Sequence, residues 1–175
     1  AYGFAACHNS GLCVLAFRGT QIESYQDFLT NIQILLTSVP QARHRGLVHA
    51  GFLNSALALL PGVTDWLNSV TAARTRLLIC GHSLGGAIAN LVAADVRPDS
   101  LVTFGCPRVG DDEFVDFLLN HLHLQITRVV NCCDVVPTLP PTFMSYEHAS
   151  DALYLDNNGT LLVNPTVNAL KRDRA

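Results

Sequence analysis

The sequence predicts an α/β fold, a mostly parallel central sheet flanked by helices, built as one domain. Two observations carry that expectation. Short apolar runs of strand length alternate with longer stretches whose apolar residues recur at helical spacing, the order that lays helices against a parallel sheet. The composition supports a packed core: 49% of the 175 residues are hydrophobic and 14% charged, against a usual charged share of about a quarter.

Taken in order, residues 12–17 read as a buried strand, because the run is short, apolar and bounded by turn residues. Residues 24–37 carry Tyr25, Phe28, Leu29, Ile32, Leu35 and Leu36 at helical spacing. Residues 51–70 read as a helix with an interruption expected near Pro61-Gly62. A short strand is expected at 77–80, then a helix of small residues over 84–96, and another strand at 101–104. Residues 111–122 read as a helix capped by Asp111 or Asp112. The strand at 126–130 completes the alternation. In such sheets the working residues gather beyond the carboxyl ends of the strands.

Composition also narrows the partners. The net charge is −3, and no Lys/Arg-rich run is present, so nucleic acid and anionic membranes have no electrostatic handle. No apolar run reaches the roughly 18 residues that span a bilayer. The first residues lack the pattern of a signal peptide, and the compartment stays open. Cys80, Cys106, Cys132 and Cys133 lie in or just after apolar runs and read as buried thiols. Cys7 and Cys13 flank a turn, and whether they pair across a hairpin or stay as thiols is open from the sequence. The spacing of His121 and His123 offers two metal ligands and no third, so no metal is expected. Nothing points to a cofactor.

Chemistry concentrates at Gly81-His82-Ser83-Leu84-Gly85. This Gly-x-Ser-x-Gly run sits directly between an expected strand and an expected helix, the context of a nucleophile elbow in an α/β-hydrolase. The turn is so tight that a side chain two residues either way would clash. Ser83 is therefore the candidate nucleophile, its hydroxyl expected to face a cleft at the sheet edge beside the positive end of the helix. Asp134 is the candidate acid, because it ends the second strand after the nucleophile strand and crossover handedness puts those ends on one edge. The oxyanion hole needs two backbone N–H groups: Leu84 supplies one from the elbow, and Thr20, at the end of the earlier strand, is the candidate for the other.

The runs at 16–20, 27–31, 48–52, 81–86, 103–110 and 131–141 together resemble the class 3, fungal-type lipases, in family order over about three quarters of the chain. The resemblance implies an α/β-hydrolase domain over 1–175, truncated at both ends, with Ser83 as nucleophile, Asp134 as acid, and Thr20 with Leu84 as oxyanion hole. It implies a carboxylic ester hydrolase acting on acylglycerols through an acyl-enzyme, with lipid or ester as substrate. It also implies a helical lid around 21–28 that touches a lipid interface transiently. Phospholipase A1 or galactolipase activity, and a catalytically silent lipase-like module, are the alternatives. The base stays open between two placements. His148 alone among the seven histidines follows Asp134, as Ser-Asp-His order requires. The resemblance also allows a histidine beyond Ala175, after a strand pair near 152–163, and that placement predicts an incomplete triad within these residues.

Overall fold

The structure, a computed structural model, describes residues 2–19, 36–38, 45–166 and 173. Among the described residues, seven strands form one sheet: β1 (Gly3–Cys7), β2 (Leu12–Phe17), β5 (Arg76–His82), β6 (Ser100–Phe104), β7 (Gln125–Asn131), β8 (Ala152–Leu155) and β9 (Leu161–Val163), in that spatial order. The pairs from β2 through β8 are parallel, and the outer pairs β1–β2 and β8–β9 are antiparallel hairpins. β3 (Leu36–Ser38) and β4 (Leu47–His49) pair separately. This is the α/β-hydrolase arrangement expected from the alternation of elements.

Period-two burial sets the inward face. Cys13, Leu15 and Phe17 of β2, and Leu77, Ile79 and Gly81 of β5, are buried in alternation with more open neighbours. Helix α1 (Ala50–Ser69) buries Phe52, Leu53, Ala56, Val63 and Leu67, a helical stripe aimed at the core. Helix α2 (Leu84–Val96) is buried along its whole middle, from Gly85 to Ala94. Only small residues let a helix lie that close to the sheet and to α1 at once. Its one polar residue there, Asn90, is satisfied by donating Nδ2 to the Gly86 carbonyl at 2.8 Å.

Four expectations change. The 20-residue α1 runs through Pro61 without the interruption expected there. The proline leaves the Leu57 carbonyl without its helical donor, and Leu57 lies on the exposed side, where water replaces the bond. Residues 36 and 37, expected to end a helix, belong to β3. The helix expected over 111–122 is a short α-helix, α3 (Asp112–Asp116), that widens into a π-turn at Phe117–His121. Cys80, Cys106, Cys132 and Cys133 do not share one fate: Cys106 is buried, Cys80 and Cys132 are partly buried, and Cys133 is exposed. The last two lie past the end of β7, where the chain has left the sheet. Cys7 and Cys13, register partners in the first hairpin, form a disulfide.

Candidate active site

β5 delivers Ser83 and α2 begins at the next residue. Ser83 has φ 55° and ψ −126°, a left-handed conformation that L-residues avoid and that marks a site held under strain by its surroundings. The flanking glycines show what holds it. A Cβ on Gly81 would run into the Gly85 carbonyl, and a Cβ on Gly85 into the Phe17 carbonyl at the end of β2. The elbow therefore closes only with hydrogen at both positions. Gly85→Ala should destabilise the fold by about 3 kcal/mol, since backbone must move to admit the methyl. The measurement is a thermal melt, with a drop of roughly 6–12 °C expected at this chain length.

The sheet register places the rest. Ser83 N–H donates to the Phe104 carbonyl at 3.0 Å, and Gly105 N–H to the Val129 carbonyl at 2.9 Å. The ends of β5, β6 and β7 thus lie side by side at one edge. β7 continues to Asn131, and the chain then reverses through Cys132 and Cys133 to Asp134, whose N–H donates to the Asn131 carbonyl at 3.3 Å. Cys133 adopts φ 61° in this turn. The Asp134 carboxylate comes back over the end of β6. A Cβ on Gly105 would strike Asp134 Oδ2 and lie 3.5 Å from His82 Nε2. The other oxygen, Oδ1, accepts from Val136 N–H at 2.9 Å. Asp134 and Ser83 therefore share the carboxyl edge of the sheet.

Ser83 differs from expectation in one respect. Its side chain is 2% exposed, and Oγ is buried with no hydrogen-bond partner among the described residues. The exit loop of β2 accounts for part of the cover: a Cβ on Gly19 would lie 3.2 Å from Ser83 Cβ. Leu84, at the first position of α2, has an N–H with no helical carbonyl to receive it. Thr20 and the expected lid at 21–28 lie outside the described residues.

His148 does not bond to the Ser83 hydroxyl. Its Nε2 donates to the Pro137 carbonyl at 2.7 Å, which fixes the tautomer with hydrogen on Nε2. It lines a cleft with Arg108, Arg128, Glu147 and Asp151, and neither Ser83 nor Asp134 lines that cleft. Burial first, then the charge of Arg128, push its pKa from the ordinary 6.5 down to about 3; the bond to Pro137 opposes this, and Arg108 adds to the lowering. The imidazole is therefore neutral in the folded state where the unfolded chain would already take up a proton. The stability associated with it is complete above pH 6.5 and is lost as pH falls toward about 3. The wild type should lose stability relative to His148→Gln over that window, with a slope of up to about 1.4 kcal/mol per pH unit. Chemical denaturation of both proteins at pH 7 and pH 4.5 measures the difference, and parallel behaviour would reject the buried neutral imidazole.

The other histidine near the core has a structural position. His49 caps α1, accepting at Nδ1 from Gly51 N–H at 3.1 Å and Phe52 N–H at 3.3 Å, and its ring stacks on Phe52. Asp111 caps α3 through Phe114 N–H at 2.9 Å and also receives Leu47 N–H.

Several known proteins resemble this chain. The family described as Lipase (class 3) matches residues 14–144. A secreted mono- and diacylglycerol lipase of Fusarium solani is 37% identical over 133 residues, which is 71% of this chain and 38% of that protein. The chain thus spans well under half of that relative's length. The solved lipase of Rhizopus microsporus var. chinensis superposes with a TM-score of 0.79 at 26% identity, covering 97% of this chain and 64% of its own. A solved triacylglycerol lipase, described as having a serine protease triad for its catalytic centre, superposes at 0.77 with 28% identity, covering 88% of this chain and 61% of its own.

Proposed function

The chain belongs to the class 3 lipase family, and on that premise we propose that it forms the catalytic core of a serine hydrolase that cleaves the carboxylic esters of acylglycerols. The observation that carries the reading is the strained elbow at Ser83, with the Asp134 carboxylate on the same edge of the sheet. Ser83 Oγ attacks the ester carbonyl while a base takes its proton, and the oxyanion is held by the backbone N–H groups of Leu84 and Thr20. Collapse expels the alcohol, which receives the proton from the base. Water then hydrolyses the acyl-enzyme by the same two steps in reverse roles. Asp134 orients and charge-balances the imidazole that serves as base.

That imidazole is one that the described residues do not bring to Ser83. The bond from His148 to Pro137 and the low pKa of its ring both argue against His148, since a general base works best with a pKa near the operating pH. His148→Gln should keep turnover within a few fold. Because Ser83 Oγ is buried, substrate reaches it only after the cover moves, and a lid around 21–28 that opens at a lipid interface suits that need. The Cys7–Cys13 disulfide suits an oxidising compartment, as does the Fusarium relative's description as secreted.

The test uses the full-length protein. A fluorophosphonate should label Ser83, and fatty acid should be released from mono-, di- or triacylglycerol emulsions. Release from phosphatidylcholine or a galactolipid alone would move the assignment to phospholipase A1 or galactolipase. Absence of both labelling and release would leave a lipase-like module without activity.

A further inference from the structure

The turn that presents Asp134 is made by two adjacent cysteines, and nothing in the proposed reaction uses a thiol. Cys132 and Cys133 occupy its two central positions, between the Asn131 carbonyl and the Asp134 N–H that close it. Cys133 is exposed and Cys132 partly so. Cys132 also donates its N–H to the Leu155 carbonyl at 2.8 Å, so the first cysteine is tied to the sheet while the second stands out in the left-handed conformation. The four other cysteines are either joined as Cys7–Cys13 or set back in the fold as Cys80 and Cys106.

We propose that Cys132 and Cys133 form a dithiol site that exchanges with low-molecular-weight disulfides, and that its closure to a vicinal disulfide withdraws Asp134 from the serine. The regulatory half of this rests on the assignment of Asp134 as the acid. The chemistry balances in two steps. The exposed Cys133 thiolate attacks an external disulfide, forming a mixed disulfide and releasing one thiol. Cys132 then attacks the Cys133 sulfur, forming the ring and releasing the second thiol. The two cysteines lose two protons and two electrons, and the external disulfide gains them.

Two features fit a reversible switch better than a permanent staple. Adjacent Cα atoms are held about 3.8 Å apart, below the usual disulfide range, and strained, exposed disulfides are the reducible ones. The ring also spans the two residues whose dihedral angles aim Asp134. Closing it redraws that turn, and a carboxylate already seated between Gly105 and the Val136 N–H has no slack to absorb the change.

The experiment treats the full-length protein with oxidised glutathione and then with dithiothreitol, reading peptide masses and turnover on the same samples. The peptide holding both cysteines should lose about 2 Da on oxidation and regain it on reduction. Turnover should fall reversibly, on the order of 10²-fold for an acid displaced by about 1 Å. Cys132→Ser and Cys133→Ser should each abolish ring closure and the loss of turnover. Phenylarsine oxide, which bridges two neighbouring thiols, should bind the reduced wild type and neither variant. A stable glutathione adduct on Cys133, or no reaction, overturns the site. Ring closure with turnover unchanged overturns the switch if Asp134→Ala is inactive. If Asp134→Ala is itself fully active, the acid assignment fails and the dithiol site stands.

Discussion

Ser83→Ala should lower ester turnover by about 10⁶-fold, the scale on which removal of a catalytic serine acts in serine hydrolases, and should abolish fluorophosphonate labelling. In residues 1–175 alone, without the imidazole proposed to pair with Ser83, the same substitution should raise stability. Ser83 Oγ is buried with no partner among the described residues, and burying a hydroxyl without a hydrogen bond costs about 1–3 kcal/mol. Alanine removes that penalty and fits the same space, while the left-handed backbone stays equally strained in both proteins. A rise in Tm of roughly 2–12 °C is therefore expected alongside the loss of activity. The pair of measurements separates function from folding: an inactive variant that melts earlier than the wild type would have lost its fold, and an active one would remove Ser83 from the reaction. Opposite movement of activity and stability is what a residue kept for chemistry predicts.

The second large effect belongs to Asp134, and two variants divide it. Asp134→Ala leaves the Val136 N–H, on a residue only 1% exposed, without its acceptor. It should cost about 1–3 kcal/mol of stability as well as activity. Asp134→Asn keeps an acceptor oxygen for that N–H and should restore stability to near the wild-type value. Activity should stay low, by about 10⁴-fold in kcat with KM little changed, because an amide orients the wrong imidazole tautomer and cannot balance an imidazolium charge. Steady-state kinetics on a soluble ester reads the split. Recovery of turnover in Asp134→Asn would assign the carboxylate to the turn rather than to the chemistry.

The elbow was legible because its steric demand leaves a record in residue type. Hydrogen is required at Gly81 and Gly85, and the spacing states this before any fold is known. The place of Asp134 at the sheet edge was legible from strand order, since every parallel strand from β2 to β8 ends on the same edge. His148 shows where order stops being informative. It follows Asp134 as a base would, yet its ring is drawn to the Pro137 carbonyl, a contact no spacing rule anticipates. The same limit explains Pro61, where local propensity predicted a break and burial of both halves of α1 prevailed. The hydroxyl expected to face a cleft at Ser83 is buried instead, and part of its cover comes from Gly19, a residue far upstream in the sequence. Cys132 and Cys133 read as apolar fillers because they follow an apolar run. Their role as the centre of a turn depends on β7 ending at Asn131.

The spatial order of the main sheet is also the order in which its strands leave the ribosome: β1, β2, β5, β6, β7, β8, β9. No strand has to wedge between two that are already paired. Each newcomer docks on the open flank left by its predecessor, so the sheet grows in one direction as synthesis proceeds. The hairpin β1–β2, clasped by Cys7–Cys13, is the first of these pairs to be completed. The advancing flank stays a bare template for foreign strands until the three-residue β9 covers it. A ribosome stalled after β7 therefore holds a nascent chain whose aggregation hazard is its last-made strand, and passage through β8 and β9 removes it.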